Sequence, residues 1–139
     1  MEYIEFVKIN WHLFLALVAV IALLAFEPLR KRSVGVKSVL PHDLPRIMKK
    51  EKAIIVDVSD TKEFDTGRIP KARNIPLSRI EADINTLNKF KSRPIVVVCR
   101  IGNRSAKAAS MLRKYNFSDV RTLQGGFSAW VKENLPIEK

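Results

Sequence analysis

Two patterns of apolar and polar residues divide the chain. From Trp11 to Phe26 the sequence reads WHLFLALVAVIALLAF, with His12 the only clearly polar side chain. Val7 and Ile9 extend the apolar stretch backwards. A spanning helix needs ~20 mostly apolar residues, so residues 1–32 read as one membrane anchor helix. Beyond it, short apolar runs alternate with amphipathic stretches. Strands are expected around Lys37–Leu40, Ile54–Val58, Ala72–Leu77, Ile95–Val98 and Val120–Leu123, the IVVV run at Ile95–Val98 being the strongest. Pro76 assigns the third of these to an edge or an ending. Helices are expected over Asp43–Lys50, Thr61–Asp65, Ser78–Leu87, Ser105 to about Tyr115, and Phe127–Leu135, with Ser33–Lys37 as a linker. Strands alternating with helices predict an α/β domain over residues 33–139 with a mainly parallel sheet.

Charge adds an orientation and a ligand preference. The formal net charge is +11, from 25 basic and 14 acidic residues. Nearly all of the excess lies beyond Arg32, which favours anionic ligands or surfaces. The basic residues are scattered over many segments without a binding-module signature, so no nucleic-acid partner is expected. Glu2, Glu5 and a single Lys8 precede the apolar block, and Arg30, Lys31 and Arg32 follow it. The positive-inside rule then puts the C-terminal side in the cytoplasm, as a single-pass protein of the inner (plasma) membrane, with Tyr3 and Trp11 at the far interface. A cleaved signal peptide would want a positive leader and a small-x-small site, and neither stands out.

Cysteine usage narrows the chemistry. With one cysteine there is no internal disulfide, and His12 and His42 are too distant to build a metal cluster around it. Cys99 closes the buried strand Ile95–Val98, and a helix is due five or six residues later. Ligands of open α/β sheets bind beyond the carboxyl ends of the strands. Between strand and helix, the loop amides of Arg100, Ile101, Gly102, Asn103, Arg104 and Ser105 can curl into an anion cradle. Gly102 supplies the backbone freedom and the helix N-terminus about half a positive charge. That field lowers a thiol pKa and favours the nucleophilic thiolate. Arg100 and Arg104 add charge, and either can hold an oxyanion. Asp57, at a strand end, reads as structural support.

The pattern Cys-x-x-Gly-x-Arg-Ser after an apolar strand resembles the active-site loop of single-domain rhodaneses. Two further stretches agree: Ile55-Val-Asp57-Val-Ser with Glu63-Phe64, Gly67, Ile69, Ala72 and Asn74-Ile-Pro76, and Val120-x-x-Leu123-x-Gly125-Gly126 followed by Trp130. The resemblance covers roughly residues 36–135, and with the N-terminal helix the chain looks like the membrane-anchored rhodaneses of bacteria. The resemblance implies a five-stranded sheet flanked by helices and a cofactor-free sulfurtransferase. A donor such as thiosulfate would pass its sulfane sulfur to Cys99, and an acceptor thiol (thioredoxin, glutathione) or cyanide would remove it. Ser59, Arg68 and Lys71 depart from the family pattern, which has arginine, histidine and glycine there.

Two other functions remain open at this point. One is a cysteine phosphatase or arsenate reductase, whose loops resemble Cys-x5-Arg; Cys99 to Arg104 is one residue shorter, which suits a single sulfur atom better. The other is a catalytically idle module of the same fold serving as a membrane-tethered scaffold.

Overall fold

The computed structural model describes residues 2–32 and 36–139, those from 27 to 32 in backbone only. The expected linker at Ser33–Lys37 falls largely outside these residues, as do the side chains of Arg30, Lys31 and Arg32. The chain forms two compact units, Met1–Val34 and Gly35–Lys139.

The first unit is not the one continuous helix that the apolar run predicts. It is two helices, α1 (Glu2–Ile9) and α2 (Trp11–Arg32), and Glu2–Ile9 meets Trp11–Phe26 at a 70° bend. Asn10 makes the break. Its backbone N–H and its Nδ2 both donate to the Phe6 carbonyl, while its own carbonyl accepts from Leu13 and Phe14. A side-chain amide competing for backbone partners in this way ends one helix and starts the next. Among the described residues no single helix is long and apolar enough to cross a membrane; the bent pair together has the length and composition. Its large apolar side chains are exposed, from Tyr3 to Phe26.

The second unit is a five-stranded sheet in the order β1-β5-β4-β2-β3. The strands are β1 (Lys37–Val39), β2 (Ile54–Asp57), β3 (Arg73–Asn74), β4 (Ile95–Val98) and β5 (Val120–Leu123). Every pairing is parallel. The all-apolar run of β4 lies at the centre, covered on both faces, as fully buried parallel strands are. β3 is an edge strand of two residues, ended two positions before Pro76.

Alternation along β4 divides the core. Ile95 and Val97 face one layer with Ile80, Ile84, Leu87, Ala108, Ala109 and Leu112. Val96 and Val98 face the other, with Leu44, Phe127 and Trp130. The helices are α3 (Leu44–Lys50), α4 (Thr61–Thr66), α5 (Ile80–Asp83), α6 (Asn103–Lys114) and α7 (Gly126–Lys132). The same period of two carries Cys99 onto the Ile95–Val97 side, under α6.

Candidate active site

The chain leaves β4 at Val98 and enters α6 at Asn103, so only Cys99, Arg100, Ile101 and Gly102 make the turn. Gly102 holds φ +110, a backbone region that side chains with a Cβ rarely enter. This lets the chain double back so that its amides converge on the cysteine. Cys99 is fully buried. Its Sγ accepts the Gly102 N–H at 2.9 Å and the Ser105 N–H at 3.4 Å. The Ser105 Oγ lies 3.5 Å from the sulfur and donates to the Gly102 carbonyl at 2.9 Å. When the thiol ionises, that hydroxyl can turn its proton to the sulfur instead.

Burial pushes the Cys99 thiol pKa up. Hydrogen bonds from the Ser105 hydroxyl and from the N–H groups of Ser105, Gly102 and Ile101 outweigh it, so the net shift is downward from the ordinary thiol range. The thiolate therefore persists to lower pH than a free cysteine allows, and its population falls as pH drops through the lowered pKa. Replacing Ser105 with alanine removes one donor to the thiolate. The expected result is an acid limb of the pH–rate profile displaced to higher pH and a several-fold lower rate near neutrality. The pH dependence of Cys99 alkylation by iodoacetamide checks it.

The cradle is aimed from below by the glycine pair. The Phe127 N–H bonds the Cys99 carbonyl at 2.8 Å and the Ser128 N–H bonds the Arg100 carbonyl at 3.0 Å. In a trans peptide the C=O and the next N–H point in opposite directions. With the Arg100 carbonyl tied to α7, the Ile101 N–H is turned away from α7 and towards the sulfur. This needs α7 to lie against the loop backbone. A Cβ on Gly126 would stand 2.5 Å from the Cys99 oxygen and 2.7 Å from the Arg100 oxygen. The sequence shows Gly125-Gly126 only as a turn; its approach to a loop 25 residues earlier is a tertiary fact.

In the structure both arginines hydrogen-bond to partners on α4 and the residue after it. The Arg100 guanidinium donates to the carbonyls of Glu63 and, at 3.0 Å, Gly67, and stacks 4.5 Å over the Phe127 ring. It satisfies the open carbonyl end of α4. Arg104 holds the Glu63 carboxylate through two bonds, at 2.7 and 3.2 Å. Arg104 keeps the Glu63 carboxyl below its usual range, and Glu63 raises Arg104 in turn. Glu63 also accepts the Asp60 N–H at 3.0 Å, closing the capping box of α4. Glu63 thus joins α4 to both arginines of the loop. The Asp60–Glu63 spacing is a capping-box signal for a helix start, and nothing in it announces the loop.

Of the other expected residues, Ile101 and Asn103 are exposed, Ile101 acting through its backbone and Asn103 opening α6. Asp57 is buried and its Oδ1 accepts the Ser59 N–H at 2.9 Å; strand register puts it on the Ile55 face, opposite Cys99. Ser59 is buried with its Oγ unpartnered, Arg68 stacks on Phe64 and bridges to the C-terminal segment at Glu138, and Lys71 holds φ +67. A cleft of about 580 Å³ runs beside the cradle, with Asp60, Leu77, Glu81, Arg104 and Lys107 in its walls. Among the described residues no cluster of three or more metal-ligating side chains occurs.

Residues 40–133 match the Rhodanese-like domain family. The chain belongs to this family. The uncharacterized protein YibN of Escherichia coli K12 is 29% identical over 137 residues, 98% of this chain and 96% of that one. The thiosulfate sulfurtransferase GlpE of Pseudomonas putida F1 is 36% identical over 102 residues, covering 73% of this chain and 90% of GlpE. The crystal structure of a rhodanese-like domain protein from Staphylococcus aureus superposes with a TM-score of 0.64 at 33% identity, covering 75% of this chain and all of that one. The rhodanese-like fold expected from the sequence is therefore present, a five-stranded parallel sheet flanked by helices, and its relatives include sulfurtransferases.

Proposed function

We propose that this rhodanese-like domain is a sulfurtransferase that carries sulfur on Cys99. The observation that carries the reading is the convergence of loop amides and the Ser105 hydroxyl on one buried sulfur. In the first step the Cys99 thiolate attacks the outer sulfur of a donor such as thiosulfate. A new S–S bond forms on Cys99, the donor's S–S bond breaks, and its electron pair leaves with sulfite. In the second step an acceptor thiol, such as thioredoxin or glutathione, or cyanide in an assay, attacks the outer sulfur of the persulfide and restores the thiolate. This is two-step covalent catalysis with no histidine base, because the cradle stabilises the anion directly.

Arg104 separates this from phosphate chemistry. That guanidinium is bonded twice to Glu63, and Cys99 to Arg104 is one residue shorter than the Cys-x5-Arg loop of cysteine phosphatases. A donor–acceptor assay distinguishes the two: the protein is expected to form thiocyanate from thiosulfate and cyanide and to leave an aryl phosphate intact. Cys99-dependent phosphate release without thiocyanate would overturn the assignment.

We further propose that the bent apolar pair embeds in the inner membrane and that the catalytic domain faces the cytoplasm. The exposed apolar side chains of the pair, the Arg30–Arg32 triplet after it and a lone thiol that requires a reducing compartment support this.

A further inference from the structure

Because all five strands run the same way, the sheet has one amino end and one carboxyl end. Cys99 lies at the carboxyl end. At the amino end is a cavity of about 640 Å³ that the sulfur chemistry does not use. Its floor is apolar, with Ile54, Phe90 and Trp130. Its rim carries Lys49, Lys52, Lys71, Arg73 and Arg93, and no acidic residue lines it. Four strand residues at about 3.3 Å each put roughly 13 Å between Ile95 and Cys99, so the two sites are separate.

Two observations give this cavity a ligand. First, among the described residues none of the five cations pairs with a carboxylate, and none of the cavity's walls supplies one. Five cations lining one cavity without a carboxylate favour an anion. Second, Lys52 and Lys71 hold φ +54 and +67, where glycine is the residue without strain. Lysine stands there against backbone preference, and the Lys52 carbonyl is fixed by the Arg93 Nε at 2.7 Å.

We propose that the amino end of the sheet docks on anionic phospholipid headgroups, with a headgroup phosphate held among Lys52, Lys71 and Arg93. This rests on the membrane reading of the N-terminal helices.

The test uses the full chain in nanodiscs of phosphatidylcholine, with and without phosphatidylglycerol, followed by amide hydrogen exchange. Segments 49–53, 71–73 and 90–93 are expected to exchange more slowly in the anionic discs only, with the effect lost at high salt. Lys52→Gly and Lys71→Gly relax the backbone while deleting charge. Each is expected to keep the thermal midpoint of the wild type or exceed it, and to weaken the headgroup-dependent protection about fivefold. Firm retention in phosphatidylcholine discs with no effect of phosphatidylglycerol would overturn the docking and leave the anchor standing. Release from phosphatidylcholine discs at high salt would overturn the anchor and with it the docking that rests on it. Equal protection by inorganic phosphate without a bilayer would overturn surface docking in favour of a small-anion pocket.

Discussion

Replacing Cys99 with serine is expected to lower thiocyanate formation from thiosulfate and cyanide by at least about three orders of magnitude, to the background of the assay. The exchange is nearly isosteric, and Cys99 lies in the core beneath α6, so the fold survives. The chemistry does not. The cradle lowers the pKa of a group that is already acidic enough to ionise near neutral pH, and a hydroxyl remains protonated among the same donors. Serine oxygen also forms no stable bond to a single transferable sulfur. The alternative of an idle scaffold predicts no difference between the two proteins, because both would be inactive. Parallel assays of the two forms, with matched thermal melts, decide between these outcomes.

Gly126→Ala is expected to have the second largest effect. The new methyl would fall 2.5 Å from the Cys99 oxygen, at a backbone φ of +65 that already disfavours it. Overpacking of this kind costs about 1–3 kcal/mol. The consequence for activity is larger. Moving α7 back releases the carbonyls of Cys99 and Arg100, and with them the direction of the Ile101 N–H. A displacement of about 1 Å at a reacting group can reduce rate on the order of 100-fold. The variant should also show its alkylation midpoint at higher pH while still folded, which simple destabilisation does not produce. An unchanged alkylation profile in folded Gly126→Ala would mean that α7 does not aim the loop.

What the sequence reveals depends on how local the cause is. β4 matches its expected bounds because a continuous apolar run between polar breaks needs only burial to form; β5, Val120-Arg-Thr-Leu123, matches too, with only its two end residues buried. The cradle was legible for the same reason: a strand, a cysteine, a glycine and a helix start follow one another directly. The stretch after Ser78 was not. One helix to Leu87 was expected, but the chain makes the short α5 and then a 3-10 helix over Ile84–Phe90. Its buried residues Ile84, Leu87 and Phe90 are spaced by three, the repeat of a 3-10 helix, and Thr86 bonds the Asp83 carbonyl at 2.6 Å. The helix start near Ser105 came two residues early, at Asn103, because Gly102 turns the chain at once.

The roles of Arg100, Glu63 and Gly126 were out of reach for a different reason. Each depends on a partner 25 or more positions away in the chain. The charge of Arg100 suggested an anion, and its actual partners are carbonyls, which no local pattern displays. Asn10 lies between these cases. A single amide beside an apolar run is weak as a signal, yet the N-terminal pair bends at Asn10, whose side chain bonds the Phe6 carbonyl.

The central claim is that Cys99 itself receives a sulfur atom. The most direct measurement is intact and peptide mass spectrometry of the reduced full-length chain after brief exposure to thiosulfate, with released sulfite measured in the same sample. The predicted result is one added sulfur on the peptide containing Cys99, one sulfite per protein, and reversal by cyanide. A Cys99 peptide that gains no sulfur while the protein remains folded would contradict it.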